Sequence, residues 1–355
     1  AIIHYASSIE FMEQLMKRRC SLLLLLWFSL QASQSGLAAE DYDVPRTQWG
    51  LPDLQGVWNF SSNVPMQRPE EFGEQQFLTD DEISAAQGQR FSLVAADAPT
   101  RSASGVEAFY NDTIWMEKIR GEGNVRTSLI IFPLNGRIPE LAQGIENQPG
   151  GEIEAVGERP VRFVIGGIGR DGPEDRGLSE RCLVGFNAGP PLSPSVYNNN
   201  LQIVQNRDHV VILTEMVHDA RVVRLKKSPA LDESLGLWSG DSRGHWDGDT
   251  LVVVTQNFNG LTQSFDGFGT SKNKILTERF TRVGPRTINY EFTIDDPSTF
   301  IEKLSAIVPL TKVESQLYEY ACHEGNYGMA NMLRGARRRD ASEVSDRVAD
   351  LFRGL

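Results

Sequence analysis

The stretch GHWDGDTLVVVT (residues 244–255) predicts a β-hairpin and gives the first indication of the fold. Its centre is Asp247-Gly248, a dipeptide strongly favoured in the two-residue turns that join antiparallel strands. The residues after the turn are rich in β-branched side chains, which are typical of strands. Because turn chemistry explains the acids of this stretch, we do not expect Asp247 or Asp249 to be catalytic.

Further strand candidates lie on both sides of this hairpin. They are short, rich in β-branched and aromatic residues, and separated by turn-like sequences. These candidates are Leu201–Gln205, His209–Glu215, Arg221–Leu225, Leu276–Val283, Thr287–Ile294, Phe300–Leu310 and Gln316–Cys322. A succession of this kind predicts a mainly β fold, in which an antiparallel meander closes into a barrel.

The remaining chain predicts an export signal, an irregular region and a helix. Met16 begins a basic segment, a short apolar run and a stretch of small residues, a pattern typical of a secretory signal peptide. Four regions follow from this interpretation: an upstream extension and signal peptide (1–39), an irregular N-terminal region with short helices and strands that pack on the barrel (40–181), the antiparallel barrel core (182–335) and a C-terminal helix (336–355).

Local signals place several elements in the outer regions. Thr79–Arg90 begins with an N-cap and an acidic first turn, and Tyr110–Lys118 is a second helix candidate. Strands are predicted near Thr127–Pro133 and Pro160–Gly166, and the C-terminal helix near Asp340–Phe352.

Charge and cysteine content limit the function classes. The net charge of −12 at pH 7 argues against nucleic acid or an anionic membrane as partner. The apolar run after Met16 is shorter than the ~20 residues that a membrane-spanning helix needs. We therefore expect a periplasmic or secreted protein with a small-molecule ligand or substrate, and the oligomeric state stays open.

After the signal peptide the chain keeps two cysteines, Cys182 and Cys322. In an oxidising compartment two cysteines most simply form one disulfide. A reactive thiol pair or a pair of metal ligands is the alternative.

Histidine is scarce, and three histidines stand beside acids: His218-Asp219, His245-Trp246-Asp247 and His323-Glu324. Histidine titrates near neutral pH and is the commonest metal ligand in proteins. His218, oriented by Asp219, is a candidate general base. The alternative is that His218 closes a strand end through hydrogen bonds of its backbone.

In the last strand candidate, Glu319 and His323 share one face, because successive side chains of a strand alternate. If this face points into the barrel, the two side chains could supply an acid and a base. The alternative is a structural ion pair between Glu319 and an arginine.

Asp241 and Arg243 precede a strand at the expected barrel rim. Arg243 is predicted to bind an anionic group or to pair with Glu319. His218, His245 and His323 are the candidate ligands of a metal, but no two of them have a local ligand spacing. The acid–base hypothesis requires no cofactor, and a divalent metal is the open alternative.

Eight segments together resemble a large family of exported, mostly uncharacterised bacterial proteins. They are PDLQGVW (52–58), RTSLIIFPLNGRIP (126–139), SERCL (179–183), GPP with YNNNLQIVQ (189–205), VVILTEMVHDAR (210–221), GDSRGHWDGDTLVV (240–253), ERFTRV (278–283) and YEYACHEGNYG (318–328). The family has no general activity to transfer.

The resemblance implies a functional set, whose members are His218, Asp219, Arg221, Asp241, Arg243, Glu319, His323, Glu324 and Asn326. Of these, Arg221, Asp241, Arg243, Glu324 and Asn326 are the expected substrate-binding residues. Relatives also carry Arg at the position of His245, which weakens His245 as a metal ligand.

The segment Gly56-Val57-Trp58 resembles the G-x-W motif near the first strand of lipocalin-like (calycin) barrels. This resemblance implies a lipocalin-like barrel, a class that includes carriers as well as cyclases, hydratases and isomerases.

Three functions follow from these observations. The first is an exported enzyme, of the lyase, hydratase, isomerase or hydrolase type, that acts by acid–base chemistry on a small, partly apolar molecule in a barrel cavity. Its catalytic residues would be His218, Asp219, Glu319 and His323. The second is a non-catalytic periplasmic carrier, and the third is a metal-dependent oxidoreductase.

Overall fold

The computed structural model describes residues 42–83, 125–145, 169–195, 197–227, 229, 231–260, 267–269 and 271–353. The chain divides into two compact units, Ala1–Asp43 and Val44–Leu355, and all the elements below belong to the second. The predicted signal peptide, the helix near Tyr110–Lys118 and the strand near Pro160–Gly166 lie outside the described residues.

In the described part of the chain, ten strands form one sheet. They are β1 (Gly56–Asn59), β2 (Ile130–Phe132), β3 (Asn200–Gln205), β4 (His209–Thr214), β5 (Ala220–Arg224), β6 (Asp241–Asp247), β7 (Thr250–Gln256), β8 (Ile275–Gly284), β9 (Thr287–Asp295) and β10 (Leu304–Val313). Nine of them close into a barrel in the order β1, β3 to β10 and back to β1, while β2 pairs with the beginning of β10. The prediction of a mainly β fold with a closed barrel is confirmed.

The strands form where apolar and polar residues alternate. On β9, Ile288, Tyr290, Phe292 and Ile294 are buried, and the residues between them are at least partly exposed. β8 alternates in the same way, and Phe280 of β8 lies opposite Tyr290 with 4.8 Å between the ring centroids. Since alternate side chains of a strand point to one face, each strand contributes one row to a continuous apolar core.

One pairing departs from the predicted meander. β5 and β6 are parallel and share a single register pair, Arg224 opposite Arg243. A parallel pair needs a crossover, which the segment 225–240 provides. Gly244 lets the two strands approach, because a Cβ atom there would lie 2.8 Å from Cγ1 of Val223. We call this weakly paired junction the β5–β6 seam.

One end of the barrel is covered by the segment around Leu54. The backbone N–H of Leu54 donates to Oε1 of Gln205 over 2.8 Å, and the indole N–H of Trp58 donates to the carbonyl oxygen of Leu54 over 2.9 Å. Leu54 and Trp58 are both fully buried. We call this the Leu54 end.

The opposite end is covered by the segment around Leu192. Leu192 is fully buried in the barrel core, and its backbone N–H donates to the hydroxyl oxygen of Tyr290 over 3.1 Å. Phe258 and Phe268, which follow β7, belong to the same core. We call this the Leu192 end.

After β10 the chain departs from the prediction. Residues 316–322, predicted as a strand, form no strand, and the C-terminal helix α1 (Tyr327–Arg353) begins well before Asp340. Asn326 caps this helix, because its Oδ1 accepts the backbone N–H of Met329 over 3.3 Å. The C-terminal helix itself is confirmed.

The predicted disulfide is present. Cys182 and Cys322 are bonded, with 5.8 Å between their Cα atoms. The side-chain amide of Asn326 also donates to the carbonyl oxygen of Glu180 over 2.6 Å. These two links attach the segment before α1 to residues 180–182.

In the N-terminal region, the predicted cap at Thr79 is present. Oγ1 of Thr79 accepts the backbone N–H of Glu82 over 3.3 Å, and the backbone N–H of Thr79 donates to Oε2 of Glu82 over 2.7 Å. The predicted strand near Thr127–Pro133 is found as β2. Within the described part of the chain, no helix has the length and apolar character to cross a bilayer.

We expect the disulfide to contribute to stability. Its loop spans 140 residues, so replacing both cysteines by serine should lower the free energy of unfolding by about 2–4 kcal/mol, since the unfolded chain becomes less restricted. Urea unfolding of the oxidised protein and of the double variant measures this difference. Adding reductant to the wild-type protein should reproduce it, and an unchanged midpoint in both tests would contradict the prediction.

Candidate functional site

The inner face of β8 carries charges at regular intervals. Glu278 and Arg282 are buried on this face, and Lys274, directly before the strand, continues the same parity. Leu276 and Phe280 lie between them. Because a strand rises about 3.3 Å per residue, charges four residues apart are about 13 Å apart. β8 therefore brings three buried charged groups to three levels of the barrel.

Arg282 lies at the Leu54 end, and backbone carbonyl groups satisfy it. Its guanidinium donates to the carbonyl oxygens of Asp53, Pro285 and Gly284 over 2.7, 3.1 and 3.3 Å. These contacts hold the segment before β1 against the barrel, so the role of Arg282 is structural.

Glu278 lies in the barrel interior and is fully buried. Both of its carboxylate oxygens accept hydrogen bonds from Arg221 of β5, one of them over 2.8 Å between Nη2 and Oε1. The hydroxyl of Tyr290 donates to Oε1 over 2.9 Å and accepts the N–H of Leu192. Arg221, Glu278 and Tyr290 thus form a closed network, and we call it the core triad.

Burial and charge fix the protonation states of Arg221 and Tyr290. Burial, supported by the charge of Glu278, raises the pKa of Tyr290 well above its ordinary value. Burial works to lower the pKa of Arg221, but Glu278 more than offsets it and the net shift is upward. Tyr290 therefore stays a hydrogen-bond donor and Arg221 stays charged.

Lys274 and Asp296 form a second buried polar group, at the Leu192 end. The register of Ile275 opposite Asp295 continues outward, so Lys274 follows β8 on the same level as Asp296 after β9. The two residues are 5% and 2% exposed. Among the described residues, no direct ion pair joins them, and we call them the Lys274–Asp296 pair.

The polar atoms of this pair are incompletely satisfied. Nζ of Lys274 donates to the carbonyl oxygen of Gly269 over 3.3 Å and lies 4.4 Å from the ring centroid of Phe258. Oδ1 of Asp296 accepts from the hydroxyl of Ser298 over 2.6 Å, whereas its Oδ2 is buried without a hydrogen-bond partner. Such groups are rare in native proteins, because burying them without partners costs free energy.

Burial lowers the pKa of Lys274 to about 8, although the charge of Asp296 works in the opposite direction. A large fraction of Lys274 is therefore neutral at slightly alkaline pH. The Lys274–Asp296 pair combines an amine that can take a proton with a carboxylate oxygen that has no hydrogen-bond partner. Such a combination can transfer protons to and from a bound molecule.

The three predicted metal ligands differ from these groups in burial. His218, His245 and His323 are all exposed. Among the described residues, which include these three, no group of three His, Cys, Asp or Glu side chains is arranged to hold a metal ion.

The expectation that Glu319 and His323 project into the barrel is wrong. Both residues are exposed, because residues 316–322 form no strand. Glu278 is instead a buried carboxylate of the interior, and it takes Arg221 as its partner. Arg221 is therefore committed to an internal ion pair, not free to hold a substrate.

His218 and Asp219 belong to the turn between β4 and β5. A short 3-10 helix, Met216–His218, breaks the strand there, with positive φ angles of 62° at Val217 and 46° at His218. Oδ2 of Asp219 accepts from the hydroxyl of Ser239 over 3.1 Å. The side chain of His218 is exposed, and its backbone N–H donates to the carbonyl oxygen of Glu215 over 3.2 Å.

Asp241 and Arg243 pair with each other at the β5–β6 seam. Oδ2 of Asp241 accepts from Nη2 and Nε of Arg243 over 2.9 and 3.1 Å, and Oδ1 accepts from Arg224. Arg243 thus pairs with Asp241, and the predicted pair with Glu319 is wrong. Of the last two predicted residues, Glu324 is exposed and Asn326 caps α1.

Sequence reasoning missed Lys274, Glu278, Tyr290 and Asp296. A signal was present, because Glu278 and Arg282 alternate with Leu276 and Phe280 in one strand candidate, and Lys274 lies two residues before Leu276 on the same parity. A charged residue at an apolar position of a strand must find a partner inside the fold.

The chain matches no model of a known protein family and no curated protein. The family resemblance of the sequence segments therefore stays a prediction.

Removing one partner from the core triad should be strongly destabilising. Glu278→Gln leaves Arg221 as an uncompensated buried charge, so we expect a loss of about 3–5 kcal/mol of unfolding free energy. The double variant Arg221→Met with Glu278→Leu removes both charges and should lose clearly less. Urea unfolding of both proteins decides the matter, and equal losses would mean that the charges are not coupled.

At the Lys274–Asp296 pair we expect the opposite change, a gain in the free energy of unfolding. Lys274→Met should raise the free energy of unfolding at pH 7 by up to about 3 kcal/mol. The reason is that the Lys274 amine has a pKa of about 8 in the folded chain but near 10.4 in the unfolded chain, so its protonation favours the unfolded chain. Between these two pH values the unfolded chain binds the proton and the folded chain does not. Wild-type stability should therefore rise with pH across this window, and the rise should be absent in the variant.

The matched control is Lys272→Met, two residues away and exposed. It should keep both the wild-type stability and its rise with pH. If Lys274→Met instead lowers stability at pH 7, the lysine is an ordinary structural residue.

Proposed function

We propose that this chain is an exported barrel enzyme that acts by acid–base chemistry on a small, partly apolar molecule at the Leu192 end. The observation that carries the proposal is the Lys274–Asp296 pair, whose buried amine and carboxylate keep unused hydrogen-bonding capacity. Groups of this kind in an apolar setting are candidates for function, because a purely structural pair would be neutralised by close contact.

In this proposal Lys274 is the base. Its pKa of about 8 gives it a neutral form near physiological pH, when it can remove a proton from a bound molecule. Asp296 is the partner that relays protons, because its Oδ2, which has no hydrogen-bond partner, can accept a proton from one polar group of the molecule and return it to another. The predicted roles of the histidines thus pass to these two residues.

Aromatic side chains give the site its apolar character. The ring of Phe258 lies beside the Lys274 amine. Gly269 has a φ angle of 79°, and a Cβ atom there would lie 3.2 Å from the Phe300 ring and 3.3 Å from Oδ2 of Asp296. Only glycine lets the backbone come so close to both groups. The aromatic rings beside the polar atoms of the pair favour a molecule with an apolar body and one polar group.

Export is part of the proposal and has two supports. The signal-peptide pattern after Met16 is one, and the bond between Cys182 and Cys322 is the other, since disulfides form in oxidising compartments. Both support a periplasmic or secreted location.

The rival function is a non-catalytic carrier, which would use the same pair only to hold a ligand. The first experiment is a thermal-shift screen of small molecules with an apolar body and one hydroxyl, carbonyl or amide group. Ligands of the site should lose about tenfold or more in affinity in Lys274→Met and Asp296→Asn, the cost of one lost polar contact, but keep it in Lys272→Met.

Each ligand is then incubated with the protein in D2O and followed by NMR. An enzyme should exchange or convert protons of its ligand, with a rate that rises as pH increases through about 8, where Lys274 loses its proton and faces Asp296 as its charged neighbour. Binding without exchange would favour the carrier. If the affinity of the ligands is unchanged in both Lys274→Met and Asp296→Asn, the assignment of the site is wrong.

A further inference from the structure

We propose that Lys274 reacts covalently, by condensing with the carbonyl carbon of a small neutral aldehyde or ketone to form an imine. This inference rests on the proposed function, because it names the substrate class and the reaction of the same site. It uses three features of the site: a buried amine, a carboxylate oxygen without a partner, and an aromatic wall.

The first feature distinguishes Lys274 from other lysines. Its side chain is buried against Phe258, whereas the side chains of Lys226 and Lys303 are 71% and 59% exposed and pair with Asp208 and Asp295. A lysine in apolar surroundings is held partly neutral, and the neutral amine is the nucleophile in imine formation. The lowered pKa of Lys274 agrees with this placement.

The second feature supplies the proton transfers. When the neutral amine attacks the carbonyl carbon, a C–N bond forms and the carbonyl oxygen becomes negative. Oδ2 of Asp296 can accept a proton from the attacking nitrogen and pass it to that oxygen. The oxygen leaves as water after a second proton transfer, so the balance is one carbonyl group and one amine giving one imine and one water. No oxidant or reductant is needed.

Asp296 also decides the charge of the substrate. A protonated imine is a cation, and the carboxylate of Asp296 on the same level of the barrel stabilises it. A substrate with its own carboxylate would be repelled by the charge of Asp296. The core triad cannot help, because Arg221 is already paired with Glu278. The site is therefore suited to neutral carbonyl compounds, with Phe258 and Phe300 beside their apolar part.

The test is reductive trapping on the purified chain. Butanal is the neutral probe and glyoxylate the anionic probe, each with sodium cyanoborohydride at pH 7, where the reagent reduces an imine by adding hydride to its carbon. Peptide mapping by mass spectrometry then gives the rate of modification at each lysine. Lys274 should react with butanal about 100-fold faster than Lys272, because a pKa near 8 leaves far more neutral amine than an ordinary lysine has.

The variants separate the roles of the two residues. Asp296→Asn should slow modification at Lys274 by about tenfold or more and leave Lys303 unchanged, because it removes both the proton transfer and the charge that stabilises the imine cation. Lys274→Met should lose the fast reaction, and Lys272→Met should keep it. Glyoxylate should modify Lys274 no faster than it modifies exposed lysines.

A modification rate at Lys274 equal to that of Lys272 would overturn the imine. So would a fast reaction that Asp296→Asn leaves unchanged, or a preference for glyoxylate. These outcomes are distinguishable from failure of the proposed function, since ligands found by thermal shift could still depend on Lys274 and exchange protons. If that dependence is also missing, both proposals fail.

Discussion

A carboxylate in the middle of an apolar barrel needs a cation beside it, and Glu278 imposes this need on the strands around it. Arg221 belongs to β5 and Glu278 to β8, and β6 and β7 lie between these two strands in the sheet. The ion pair therefore joins the two sides of the β5–β6 seam through the barrel interior. Tyr290 adds β9, and its hydroxyl fixes the segment at Leu192. The core triad thus connects the β5–β6 seam, strands β8 and β9, and the segment around Leu192 that covers one end of the barrel. Strand pairing alone connects these parts least.

The sequence predicts the local elements well, because alternation of apolar and polar residues is a local property. The hairpin at Asp247-Gly248 and the two long strands β8 and β9 follow directly from it. Closure does not, because β1 is only four residues long and pairs with β3 and β10, which lie far away in the chain. Since β1 completes the barrel, the alternating segment 316–322 has no place in it and becomes the disulfide-linked connection to α1.

The site shows a similar division. Histidines beside acids suggest chemistry because of their neighbours in sequence, yet the fold places His218, His245 and His323 at exposed positions. Glu278 carries a stronger signal, since it interrupts an apolar row that must face the core, and Lys274 stands in line with the same row directly before the strand. What the sequence could not reveal is the difference between them. Glu278 meets Arg221 in the interior, whereas Lys274 lies at the barrel end beside a carboxylate that it does not contact directly. That difference depends on the register of distant strands.

The disulfide also determines how the molecule would carry mechanical load. Cys182 and Cys322 enclose β3 to β10 in one covalent loop, and α1 leaves the loop just after Cys322. A pull on the helix would therefore pass through the sulfur atoms to the chain that leads to Leu192, and it would bypass the hydrogen bonds of β10. In the reduced protein the same pull would reach β10 directly and peel it from β1. The bond thus shields β10 from tension on the C-terminus.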